Sequence, residues 1–234
     1  WLERKKMMQI TDDGLYEMSE DTNFVVFLLD AVDARYFTKL LEENPKYQEV
    51  FQDFTYYPDT VGTYPFTQMS IPFLFSGEWY ENKEPFEDYQ ARVYKDAPFF
   101  HTLEGEGYRM GMYEPELPFQ DESIYRFENI KEGTSGITSY FNFLKAQFQL
   151  VGFKYAPFDL KRFCMLDTNY FKTLQKAEEG QSIFNDGNLD FYQNTLETAV
   201  THTKEKCFKF IHLEGGHVPF RYNENVELVE EGTY

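Results

Sequence analysis

Three polar residues stand where a folded chain would gather chemistry: Asp30, Thr67 and His217. Asp30 ends the apolar run Asn23-Phe24-Val25-Val26-Phe27-Leu28-Leu29, and a carboxylate there reads either as a cap for a following helix or as an oxygen ligand for a cation. Thr67 opens an apolar stretch, residues 67–75, that predicts a helix bounded by Gly77. At a helix start the unsatisfied N–H groups favour a phosphate and a developing alkoxide. A threonine alkoxide is inaccessible at neutral pH without a metal, so a nucleophilic Thr67 would need one; the same position also suits a simple N-cap. His217 follows Gly215-Gly216, a pair that allows close backbone approach to a bound group and equally makes an ordinary turn.

The elements that must position these residues alternate. The run ending at Asp30 reads as a buried parallel strand, and residues 33–41 follow as a helix closed by Pro45. A loop over 52–65 leads to the helix at 67–75; residues 98–104 read as a helix and 107–113 as a second strand. From about 115 to 188 the chain is aromatic-rich, with helical stretches at 139–151 and 160–176 and no strand signals, and it reads as an insertion or cap. A helix at 189–204 then leads into the strand Cys207-Phe208-Lys209-Phe210-Ile211-His212-Leu213 and the turn at 214–217. Strand alternating with helix predicts an α/β fold with a mainly parallel sheet flanked by helices. Ligands of such sheets bind beyond the carboxyl ends of the strands, where Asp30 and His217 both fall although they are roughly 190 positions apart in sequence.

Composition narrows the partners. With 234 residues, 42% hydrophobic and 19% aromatic, the chain is expected to fold as one domain, residues 23–234, preceded by a linker over 1–22. Forty acidic against 22 basic residues give a net charge of −18, which argues against nucleic acid or an anionic membrane as partner and suits a divalent cation. No apolar run approaches the ~18–20 residues that cross a bilayer, so this piece is expected to be soluble. It opens on Trp1 and Glu3-Arg4-Lys5-Lys6, so any anchor is expected in a preceding segment. Cys164 and Cys207 have neither metal-ligand spacing nor disulfide density and read as interior residues.

Asp30 at its strand end, Thr67-x-x-Ser70-Ile71-Pro72-x-Leu74-Phe75-Ser76, and Ile211-His212-Leu213-Glu214-Gly215-Gly216-His217-Val218-Pro219-Phe220 together resemble the bacterial phosphoethanolamine transferases, lipoteichoic acid synthases and other sulfatase-like proteins of the alkaline-phosphatase/sulfatase superfamily. The resemblance implies a sulfatase-like fold, truncated here, with the insertion at about 115–188. It also implies that Asp30 and Thr67 bind a divalent metal, zinc or manganese. Thr67 would be the catalytic nucleophile, and His217 would contact the phosphoryl group or a second metal. The substrate would be a phospholipid head group or an envelope glycan, handled at the extracytoplasmic face of a bacterial membrane, with membrane contact only through a segment preceding this one.

Asp30 takes the place of a Glu in the phosphoethanolamine transferases, which keeps an oxygen ligand. Neither cysteine lies in the Cys-x-Pro-x-Arg segment of classical sulfatases, which disfavours sulfate-ester hydrolysis by that route. The Asp-His pair that relatives place after the next strand has no counterpart downstream of His217. Asp30 and Thr67 alone supply half of an ordinary tetrahedral ligand set, so this piece is expected to bind metal weakly and to be inactive by itself. The alternative function is a non-catalytic sulfatase-like binding module that has lost its metal site.

Overall fold

Alternation along one strand organises the structure. In Lys206–Leu213 (β8), Phe208, Phe210 and His212 point to one face of a sheet, and Cys207, Lys209 and Ile211 to the other. The computed structural model describes residues 6–114, 117, 126–137, 139–165, 175–177, 188–213, 223 and 227. Its β8 is the central strand of a three-stranded parallel sheet, between Asn23–Leu29 (β3) and Tyr108–Tyr113 (β4). Six consecutive residues of β8 are buried, as a strand covered on both faces requires. Glu17–Ser19 (β2) and Thr201–Thr203 (β7) pair in parallel and continue the β3–β8 ladder in the same register. The break between β2 and β3 is closed by Asn23, whose side chain accepts from Ser19 N at 2.7 Å and donates to Ser19 O at 2.9 Å.

The chain is α/β, with parallel strands in small sheets flanked by helices. It divides into two compact units, residues 10–130 with 182–234, and residues 1–9 with 131–181. In the larger unit Ala34–Glu43 (α1) and Pro45–Val50 (α2) follow β3; Thr67–Ser76 (α3), Phe86–Asp96 (α4) and Pro98–Gly105 (α5) precede β4; and Asn188–Glu197 (α8) precedes β7. Phe75 of α3 meets Phe210 at 5.0 Å and Phe100 of α5 at 4.7 Å between ring centroids, and Tyr94 of α4 stacks on Phe100. These rings are the core of the sheet's first face, and they fix α3 against β8. The smaller unit holds Lys6–Ile10 (β1), Ile130–Ile137 (β5) and Gln175–Ala177 (β6) in one sheet, with the helices Tyr140–Tyr155 (α6) and Phe158–Lys161 (α7).

Several expectations change. β3 is not a buried strand: Phe24, Phe27 and Leu29 are exposed, because β3 forms the edge of the sheet among the described residues. The stretch expected as a linker, 1–22, carries β1 and β2, and Leu15 between them is buried. Pro45 follows the end of α1 as expected and also starts α2, since a ring without an N–H suits the first turn of a helix. The segment between 115 and 188, read as helical stretches without strand signals, has its helix at 139–151 as α6 but also contributes β5 and β6, and of its predicted helix at 160–176 the described part holds only the end of α7 and a strand at 175–177. The helix predicted to 204 ends at Glu197, where Thr201 and Thr203, β-branched, join the ladder with β2.

Candidate functional site

β3 delivers Asp30 to the carboxyl edge of the sheet, where its N–H donates to Leu213 O at 2.9 Å and carries the ladder one residue past the strand. The next residue, Ala31, has φ 55°, a left-handed conformation that costs a residue with a Cβ about 1 kcal/mol or more. The chain thus turns sharply away at this point, and Asp30 stays at the sheet edge. Asp33, not Asp30, caps α1: its carboxylate accepts from Arg35 N at 2.8 Å, and that bond and the guanidinium beside it hold Asp33 at a pKa of about 2. The helix-cap reading of Asp30 therefore does not hold.

α3 begins at Thr67, directly after Phe66 in extended backbone, and it ends at Gly77, whose φ of 70° suits a residue without Cβ. Phe66 occupies the cap position and offers no side-chain acceptor, so Thr67 is the first helical residue and its hydroxyl is not the cap. By helix geometry the N–H groups of Thr67 and Gln68 have no acceptor within the helix. Pro72, inside α3, cannot bond Gln68 O, and Gln90 of α4 donates to that carbonyl instead at 3.3 Å. Ser70 donates back to Tyr64 O and Phe66 O, both at 3.1 Å, and serves the helix.

Asp30 and Thr67 line one cleft of about 670 Å³, together with Ala31, Gln68, Tyr80 and Phe86. Both are half-buried, so a group in the cleft could reach the carboxylate, the hydroxyl and the open end of α3 while staying in contact with water. The far wall is held by a clamp that the sequence did not reveal. Arg92 pairs with Glu78 at 2.6 Å and Glu84 at 2.7 Å, and Tyr80 between them donates to Glu84 O at 2.9 Å. The two carboxylates raise the Arg92 pKa above its ordinary value. His217 lies outside the described residues.

At the same edge of the sheet lies a buried pair that the sequence reading missed, His212 Nδ1 and Glu114 Oε2 at 2.7 Å, each 1% exposed. His212 ends the Phe208-Phe210 face of β8, and Glu114 follows β4. Their alternation within apolar strands was the available signal. A carboxylate on Nδ1 fixes the orientation of the imidazole, and Glu114 also helps to raise the pKa of the wholly buried Tyr94 phenol, after desolvation.

Zinc and manganese both accept oxygen ligands, and Asp30 and Thr67 offer oxygen donors on one cleft. Among the described residues no cluster of three His, Cys, Asp or Glu side chains could complete a ligand set. No family model, curated protein or solved structure matches the chain.

Proposed function

We propose that this chain carries the nucleophile side of a phosphoryl-group transferase or hydrolase of the sulfatase-like type, of phosphoethanolamine or phosphoglycerol specificity. The observation that carries the reading is the shared cleft: Asp30 and Thr67, 37 positions apart in sequence, line it at the carboxyl edge of a parallel sheet. The three motif segments that resemble phosphoethanolamine transferases and lipoteichoic acid synthases support it independently.

In this reading the Thr67 oxygen attacks the phosphorus of a phosphodiester head group. The threonine O–P bond forms, the ester bond to the departing alcohol breaks, and the hydroxyl proton leaves with that alcohol. An acceptor hydroxyl or water then takes the phosphoryl group from Thr67. The open N–H groups of α3 face charge that develops on the phosphoryl oxygens, and the resemblance implies that His217 would contact the same group or a second metal. Asp30 and Thr67 would hold a divalent cation, zinc or manganese, whose chemistry is to lower the pKa of the hydroxyl and offset phosphoryl charge. The turn at Ala31 and the Arg92 clamp keep the two walls of the cleft in place.

Thr67→Ala in the full-length protein is expected to abolish release of a phospho-head group while moving the melting temperature by no more than a few degrees, because this hydroxyl caps nothing. Asp30→Ala is expected to lose activity together with bound metal, measured by elemental analysis. Near-native turnover of Thr67→Ala would remove the nucleophile assignment. Unchanged metal and turnover in Asp30→Ala would remove the ligand assignment, and a full-length wild type without turnover would favour the binding-module alternative.

A further inference from the structure

The acidity of the chain is not shared between its units. Residues 1–9 and 131–181 contain ten basic and six acidic residues, a net charge of +4, which leaves 12 basic against 34 acidic, or −22, in the rest. The expectation that acidity argues against an anionic membrane rests on a net charge that this unit does not share.

The same small unit exposes an ordered apolar stripe. Along α6, Phe141, Leu144, Phe148, Val151 and Tyr155 recur at alternating steps of three and four and all are exposed, Phe148 by 74%. On the opposite side of the helix Ala146 is buried, with Phe143 and Leu150 half-buried beside it. The stripe is therefore the helix's outer face. At about 100° per residue, Lys145 and Lys154 fall roughly 90° to either side of it, and both are exposed. The segment after α6 repeats the composition, with Phe158 87% exposed, Phe163 exposed, and Lys161 and Arg162 each set over an aromatic ring.

Aromatic residues on one helical face, with exposed lysines on both flanks, match the requirements of a helix lying in the plane of a bilayer interface. The rings would enter the boundary between headgroups and acyl chains, and the cations would meet anionic headgroups. The repulsion of the acidic unit is screened over about 8 Å at physiological salt, so charges in contact with the surface dominate. No helix of the described residues is long and apolar enough to cross a membrane, so this contact would be peripheral.

We infer that the outer face of α6 is a docking surface for an anionic lipid bilayer. This goes beyond the transfer reading and does not depend on it, because none of these residues lines the cleft.

The test is co-sedimentation of the protein with vesicles of phosphatidylglycerol and phosphatidylcholine mixed 3:7, beside vesicles of phosphatidylcholine alone. Binding to the mixed vesicles is expected at 100 mM salt, with at least a tenfold weaker partition at 500 mM salt and on phosphatidylcholine. Lys145→Glu with Lys154→Glu, and separately Phe141→Glu with Phe148→Glu, should each weaken partition at least tenfold, whereas Phe54→Glu, an exposed ring of the larger unit, should not. The salt series needs no variant and stands if a variant fails to fold. No binding to the mixed vesicles, or equal loss with Phe54→Glu, would overturn the inference. So would a dimer in sedimentation velocity that the Phe141 and Phe148 changes dissociate while vesicles are ignored, since the stripe would then be covered by a second copy.

Discussion

The two faces of β8 solve the same burial problem in different ways. On the first, Phe208 and Phe210 meet Phe24, Phe75 and Phe99 and exclude water with apolar area alone. On the second, Lys209 is 2% exposed and its ammonium donates to three backbone carbonyls, those of Gly14, Leu15 and Glu17, the Leu15 bond being 2.8 Å. Beside it Tyr113 donates to Asp13 O at 2.7 Å and lies over Gly111, where an added Cβ would meet its ring at 2.7 Å. Arg109 completes this face with Glu17, Glu128 and Glu205. The apolar face holds α3 and hence the cleft; the polar face ties residues 13–17 to the sheet. Non-directional burial thus supports the candidate site, and directional hydrogen bonds fix the strand that the sequence alone read as a linker.

The comparison breaks most severely on the apolar side. Phe210→Ala should cost about 4 kcal/mol, because it removes the ring at the centre of the cluster and leaves a cavity, read as a lowered midpoint in urea. Lys209→Met should cost less, about 2 kcal/mol, since it removes buried charge along with the bonds and leaves three carbonyls to be satisfied otherwise. A loss as large as that of Phe210→Ala would mean that the polar face, not the aromatic one, carries the sheet.

Alkali separates the faces further. Burial raises the pKa of Tyr94 on the first and Tyr113 on the second above the ordinary phenol value of 10.0. For such groups the stability is fully present below pH 10 and is lost as pH rises toward the folded values, at about 1.4 kcal/mol per pH unit for each phenol. Lys209 has the opposite sign: burial lowers its pKa from 10.5, so stability rises between its folded value and 10.5. Tyr113→Phe should flatten the alkaline loss in a pH series of urea midpoints, and Lys209→Met should steepen it. The smallest effect is expected beside the cleft, where Ala31→Gly should stabilise the protein by about 1 kcal/mol by relieving the left-handed φ. No gain would show that the turn is unstrained.

By itself the sequence determined the alternating strands β3, β4 and β8, the start of α3 at Thr67, and the placing of Asp30 at a strand end. Those follow from local patterns: an apolar run stopped by a carboxylate, a proline before a helix, a glycine after it. Only the tertiary structure decided that β8 lies between β3 and β4, that β3 is an edge, and that Asp33 takes the cap and leaves Asp30 to the cleft. Strand order and exposure depend on contacts between residues far apart in the chain, such as Phe75 with Phe210 and Asn23 with Cys207, which no local period encodes. The same holds for the outer face of α6. Its apolar residues were legible as a helix, but which side stays uncovered is set by the packing of the side that carries the buried Ala146.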